Sequence, residues 1–357
     1  MGIERKLAIG VGGLVGLMLV TGGGVYVWAS STASTKLANR FDVHRVDFPI
    51  PSPLNDEELS ALRAERIMAA TGAGANSVGA NSAGANGVGA NSADPLAGVD
   101  LNAVATERAV ARGKHLVEAI YACRECHGAD FGGGTMIDDA AMGRLLGPNL
   151  TLGTGSRTLA YTAADWDRMV RHGVRPDSTP SPMPSKDFYY MSDRELSDVV
   201  SYIRALPAVN KEVPSITLGP LGKVLLATGQ LQLSAETHPT KHAISHAPLA
   251  PAAVADASFG KHVAQTCTGC HGTTFAGGPI IGGPPDWPPA ANLTPIGLAG
   301  WTYDDFVRAL KEAKSKNGVA LRVPMAGLPK FARNMTDTEL QALWAYIKDL
   351  PPQPTGK

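Results

Sequence analysis

The four cysteines of this chain all fall in two short stretches, "CRECHG" at Cys123–Gly128 and "CTGCHG" at Cys267–Gly272. In each, two thiols sit three residues apart and an imidazole follows the second. C-x-x-C-H is the attachment pattern of c-type haem. Each thiol adds across one porphyrin vinyl group. Two vinyls on one edge of the ring require two sulfurs about one helical turn apart. The adjoining histidine then meets the iron as its proximal ligand. The spacing predicts two covalently bound haem c groups, one on Cys123, Cys126 and His127, the other on Cys267, Cys270 and His271. A thioredoxin-like dithiol needs no histidine after its second cysteine and sits on a βα unit, which the pattern here lacks. A four-cysteine zinc site would leave both histidines unexplained, and zinc pairs lie much closer together than these.

The sixth iron ligand should lie downstream, at matching places in both halves. Methionine leads, because thioether sulfur suits haem iron and raises its potential. Met183 in "PSPMPS" and Met325 in "RVPMAG" both sit in proline-bordered loops ahead of a final helix. Met191 and Met335 also match, but each immediately precedes an N-cap residue, the place of a hydrophobic staple. His115 and His262 occupy matched "GKH" positions and read as packed helix residues. His238, His242 and His246 have a helical spacing that could bind metal. Pro239 and Pro248 flank them, so they read as a polar interdomain loop. His172 has no counterpart in the other half and is a weak rival ligand.

These residues are carried by a large internal repeat. "PNLT" at Pro148–Thr151 answers "ANLT" at Ala291–Thr294, "YTAADWDRMV" answers "WTYDDFVRAL", and "MSDRELSDVVSYIRALP" answers "MTDTELQALWAYIKDLP". Each copy reads as helices joined by long loops. Ser192 with Glu195, and Thr336 with Glu339, are capping-box pairs at the start of the last helix. Leu196, Val199, Val200, Ile203 and Leu206 then mark one helical face, and Leu340, Leu343, Trp344, Ile347 and Leu350 mark it in the second copy. Thr162 with Asp165, and Thr302 with Asp305, cap a middle helix. Pro207 and Pro351 stop the last ones. No long stretch alternates with period two, so strands are minor at most. The expected class is all-α, with two haem domains at 105–212 and 253–355. The apolar run "LGPLGKVLLATGQLQL" in the intervening segment, 213–252, predicts a helix packed between them.

The rest of the chain bears on location. Formal net charge is zero, so nothing points to nucleic acid. Leu7–Ala29 is uncharged for 23 residues, about a bilayer's span, with Arg5 and Lys6 before it and Tyr26 and Trp28 at its far end. That exceeds a cleaved signal core, although Ser31-Thr32-Ala33 would suit cleavage. The reading is an N-terminal membrane anchor over 1–29, with the haem domains on the periplasmic side of the inner membrane. Residues 30–104 read as a spacer with a flexible linker, because four copies of a Gly-Ala-Asn-rich unit at 74–93 cannot bury enough surface to order themselves.

With C-x-x-C-H and a downstream methionine in place, each copy resembles a class I cytochrome c domain. The resemblance covers about 210 residues. It implies that first and last helices pack together with haem in the crevice. It also implies that a proline carbonyl after the motif holds the proximal histidine's other nitrogen. Pro148 in "GPNL" resembles that proline. The second copy departs from the pattern, with Pro289 three residues before Asn292. Anchor plus two domains is similar to the membrane-bound dihaem cytochrome subunits of bacterial alcohol, aldehyde and sugar dehydrogenases. What the resemblance implies is electron transfer between such a dehydrogenase or respiratory complex and a downstream acceptor. Histidine and methionine on each iron leave no position for a substrate. The competing class is a dihaem peroxidase, which needs one haem with an open or displaceable ligand and a nearby acid–base group.

Overall fold

Four helices begin where the sequence places a capping box. Thr162, Ser192, Thr302 and Thr336 each accept from the backbone N–H three residues on, and the acid there accepts from the cap residue's own N–H. The computed structural model describes residues 23–71, 94–237, 241–280, 283–284 and 286–356. The Gly-Ala-Asn repeat, residues 7–22 of the apolar N-terminal run, and His238 lie outside them.

The helices in chain order are α1 over 23–38, α2 (Asp56–Thr71), α3 (Leu101–His115), α4 (Arg124–His127), α5 (Ala163–His172), α6 (Asp193–Ala205), α7 (Pro220–Ala227), α8 (Ser234–Thr237), α9 (Ala257–Ala264), α10 (Thr268–His271), α11 (Tyr303–Glu312), α12 (Pro329–Ala332) and α13 (Asp337–Lys348). In the first copy α3 packs against α6, and in the second α9 packs against α13. Leu196, Val199, Val200 and Ile203 of α6 are buried with Phe131, Trp166 and Met191. Leu343 and Ile347 of α13 are buried with Phe259, Phe275 and Phe306. Met335 packs on that second core.

Two expectations need correction. The class is not purely all-α: β1 (Gly134–Asp139) and β2 (Gly143–Gly147) form an antiparallel hairpin, extended by β3 (Thr217–Leu218). Its turn is closed by the Asp139 carboxylate, which accepts from the N–H groups of Ala141 and Met142, and by Gly143 at φ 103°. Turn chemistry makes these strands, not an alternating pattern. The helix predicted between the domains, α7, instead packs on this sheet and on α1, with Leu226 buried beside Ala33 and Leu233.

The second correction concerns the N-terminus. The expected anchor ends at Ala29, but α1 continues to 38. Ala29 and Ala33 are buried, and Lys36 pairs with Glu236 at 3.1 Å. Small residues four apart make a protein-facing stripe, which a reading of uncharged length overlooks. Among the described residues no helix is long and apolar enough to cross a membrane. The single-pass transmembrane helix, and the membrane location built on it, are therefore not supported. The spacer after α1 is a packed strap: the Phe41 N–H donates to the Ser178 carbonyl, and the Ser52 N–H to Ser197 Oγ.

The two copies are joined reciprocally. His115 of the first copy meets Glu339 of the second at 2.7 Å, and His262 of the second meets Glu195 of the first at 2.8 Å. Each acid is also the capping-box acid of a last helix, so one carboxylate starts a helix and docks the other copy. The Glu339 hydrogen bond and charge, against burial, hold the His115 imidazole above its ordinary pKa. Burial pushes Glu339 up, but its bonds from His115 and the Thr336 cap outweigh that and leave it low.

The sign of the pH dependence follows. The His115 contribution is complete below the ordinary histidine pKa of about 6.5 and is lost as pH rises through the raised folded value. The Glu339 contribution is present above the ordinary carboxyl value of about 4.3 and is lost as pH falls through its lowered one. The difference in Tm between wild type and His115→Gln should peak at about pH 5–6 and close toward about pH 9. A difference that stays flat with pH would show that this pair does not hold the interface.

Candidate haem-binding sites

Each cysteine motif forms a single helical turn, α4 or α10, with the first cysteine as its N-cap. Gly128 and Gly272, at φ 81° and 75°, end the turns. The chain then reverses so that the N–H of Gly133 donates to the His127 carbonyl, and the N–H of Gly277 to that of His271, both at 3.0 Å. Buried Phe131 and Phe275 take left-handed φ values at matching places.

The two histidines are oriented alike. His127 Nδ1 lies 3.1 Å from the Pro148 carbonyl oxygen, and His271 Nδ1 lies 2.8 Å from that of Ala291. A carbonyl only accepts, so Nδ1 carries the proton and Nε2 keeps its lone pair, the tautomer a metal requires. Burial lowers both imidazoles' affinity for a second proton. In the second copy the acceptor is Ala291 rather than Pro289, because a backbone carbonyl needs no particular side chain.

The next residue fixes that carbonyl. Asn149 donates from Nδ2 to the Val209 carbonyl at 2.7 Å and accepts from Thr151 N–H. Asn292 does the same with the Gln353 carbonyl at 2.7 Å and Thr294 N–H. This amide clamps the loop after the motif to the chain beyond the last helix. Its role is not deduced from the sequence, although the repeated N-L-T was the available signal.

In the first copy a cavity of about 330 Å³ brings Cys126, His127 and Met183 to one space. A void of about 60 Å³ beside it adds Cys123 and the α6 residues Val199, Val200 and Ile203. Desolvation pushes the Cys123 thiol up to about 12 and Cys267 up to about 11, so neither is a reactive thiolate near neutrality. The cavity suits a large ring with carboxylate substituents. Its walls are mostly apolar, Arg157 and Arg175 line it, and the buried indole N–H of Trp166 in its wall has no hydrogen-bond partner.

The methionine loops start alike and then diverge. Ser181 N–H donates to the Gly173 carbonyl, and Leu321 N–H to the Ala313 carbonyl, both at 2.7 Å. Met183 follows two residues after that anchor. Met325 follows four after, half-buried, at the start of the 3₁₀ turn Met325–Gly327. The Met183 carbonyl accepts from Ser234 Oγ at 3.0 Å, which fixes its loop. That loop continues into the 3₁₀ turn Ser185–Asp187, which packs against α10 and the turn before it. A Cβ on Gly269 of the second motif would lie 2.8 Å from the Asp187 carboxylate, so the first copy's methionine loop touches the second copy's motif.

Comparison with known proteins agrees with this geometry. Residues 257–351 match the family described as Cytochrome c, and 108–203 match Cytochrome C oxidase, cbb3-type, subunit III. The chain is 26% identical over 253 residues to the cytochrome c subunit of a quinone alcohol dehydrogenase from Gluconacetobacter polyoxogenes, covering 65% of this chain and 53% of the relative. It is 21% identical to a fructose dehydrogenase cytochrome subunit from Gluconobacter japonicus, covering 72% and 57%. A gluconate 2-dehydrogenase cytochrome c subunit from Pantoea cypripedii is 33% identical over 97 residues, covering 25% and 22%. The chain spans about half the length of the first two relatives.

Proposed function

The chain is a c-type cytochrome whose cofactor is haem c, and from that premise we propose that it transfers electrons rather than turning over a substrate. Two haem groups would be held covalently. Cys123 and Cys126 give thioethers in a domain at 105–212, and Cys267 and Cys270 give them in a domain at 253–355. His127 with Met183, and His271 with Met325, would hold the two irons, and the Pro148 carbonyl would orient His127. When bound, haem supplies a reversible one-electron couple.

The observation that carries this reading is the cavity shared by Cys126, His127 and Met183. A histidine with its lone pair freed and a thioether on a pinned loop would together hold the iron and exclude exogenous ligands. The close approach of Asp187 to Gly269 of the second motif supports a relay between two neighbouring sites. The donor is a dehydrogenase of the kind its relatives serve, and a separate redox partner accepts the electrons.

Carbon monoxide added to the reduced protein tests the closed sites. Wild type should bind none, and Met183→Ala and Met325→Ala should each open one haem and bind one equivalent. Carbon monoxide on a wild-type haem would mean an open iron, and peroxide turnover would then be the assay to run.

A further inference from the structure

Beneath the cavity wall formed by α5, four side chains from three separate chain segments converge. They are His44 from the strap, Asp167 and His172 from α5, and His246 from the segment between the copies. One ligand-type atom from each lies within 4.8 Å of all the others. Their side chains are 8%, 0%, 0% and 5% exposed.

Hydrogen bonds outside the cluster fix its tautomers. His242 Nε2 must donate to the Ala235 carbonyl at 2.9 Å, leaving a lone pair on its Nδ1. His172 Nδ1, 3.0 Å away, donates to that lone pair, so His172 Nε2 carries no proton and keeps its lone pair. His44 Nδ1 donates to the His242 carbonyl at 3.0 Å, which leaves Nε2 bare. His172 Nε2 therefore presents a lone pair, 3.1 Å from His246 Nε2.

Two further atoms point the same way. His44 Nε2 and Asp167 Oδ2 are buried with no hydrogen-bond partner, and they lie 3.9 Å apart. The other carboxylate oxygen, Oδ1, accepts from Arg171 Nε at 2.7 Å and lies 3.8 Å from His172 Nε2 and 3.9 Å from His246 Nε2, so Arg171 holds the carboxylate with Oδ2 turned to His44 and Oδ1 to the other two imidazoles. Orphaned buried acceptors cost free energy unless something supplies the missing positive charge.

We infer that His44, Asp167, His172 and His246 form a closed structural zinc site that ties the strap and the segment between the copies to α5. Three imidazoles and a carboxylate are a zinc donor set. Tetrahedral bonds of about 2.0–2.1 Å place ligand atoms roughly 3.3 Å apart, close to the His172–His246 separation. Small side-chain rotations bring the carboxylate in. His242, through its carbonyl and its Nδ1, and Arg171 orient three of the ligands from outside, as metal sites require. The other face of α5, with Trp166, Met169 and Val170, lines the cavity, so the ion would stiffen that wall.

The test uses tag-free, haem-loaded, full-length protein. It is stripped with chelator, given one equivalent of ZnCl2, desalted and analysed for zinc and iron. Wild type should keep about one zinc per chain and melt several degrees higher than the stripped form. His44→Gln/His246→Gln should keep none and show no such shift, with iron per chain unchanged. Wild type that keeps no zinc overturns the site, and so does a variant that keeps as much. X-ray absorption at the zinc edge of wild type decides independently of any variant. Four nitrogen or oxygen neighbours at about 2.0–2.1 Å are expected, and sulfur neighbours would place the ion elsewhere.

Discussion

Replacing Cys123 and Cys126 together by alanine should halve the covalently bound haem and leave the second copy loaded. Wild type should show two haem masses on the denatured chain. Cys123→Ala/Cys126→Ala and Cys267→Ala/Cys270→Ala should each show one, and the fourfold variant none. The first pair should also cost the first copy its fold. Its ligand space is about 330 Å³. At about 24 cal/mol per Å³, an uncollapsed cavity of that size costs up to about 8 kcal/mol. That is comparable to the whole stability of a domain, about 5–15 kcal/mol. Limited proteolysis should therefore cut within 105–212 in that variant and spare 253–355. Two haems still attached to Cys123→Ala/Cys126→Ala would sink the assignment of these thiols, and an uncut first copy would show that the space collapses cheaply.

Local chemistry made much of this legible in the sequence. The capping boxes depend on residues three apart, and all four form. The cysteine turn and its following histidine are likewise read within five residues. What needed three dimensions was less visible. Between the "GKH" histidine and the first cysteine, the first copy has three more residues than the second. They are taken up by the π-helical turn Leu116–Ile120 and by Ala122 at φ 48°, where the second copy has the 3₁₀ turn Gln265–Cys267. The π turn widens the end of the helix and Ala122 breaks it, so the insertion is absorbed before the motif turn begins. Nothing in the sequence separates that from a longer loop.

The histidine cluster shows the limit more sharply. Positions 44, 167, 172 and 246 share no local spacing, and the run that did show helical spacing, His238, His242 and His246, contributes one of its members to the cluster. His242 instead acts from outside, by accepting from His172. At the N-terminus the count of uncharged residues ends at Ala29, inside a helix that continues to 38, and nothing in that count shows that Ala29 and Ala33 are buried against protein.

Gly113→Ala and Gly260→Ala should each destabilise the protein strongly, although an alanine inside a helix ordinarily gains up to about 1 kcal/mol over glycine. Gly113 lies in α3 and Gly260 in α9, at matching positions before the histidines that dock the copies. A Cβ at Gly113 would sit 1.9 Å from the Asp198 carbonyl oxygen of α6, and one at Gly260 would sit 1.9 Å from that of Ala342 in α13. These are backbone atoms, so no rotamer change relieves the clash, and the helices must part by more than 1 Å. Overpacking costs about 1–3 kcal/mol, and a clash with backbone belongs at the upper end or beyond. With the propensity gain offsetting part of that, each copy should lose roughly 2 kcal/mol, or about 10 °C in Tm. Gly327→Ala is the control, because a Cβ there meets nothing within 4 Å. The crossing also sets the distance between α6 and the motif turn, and Val199, Val200 and Ile203 of α6 face that space. Gly113→Ala should therefore open the first site to carbon monoxide while Met183 is still present. A Gly113→Ala protein that melts with wild type and keeps its haem closed would show that the close approach of α3 and α6 is not what holds the crevice shut.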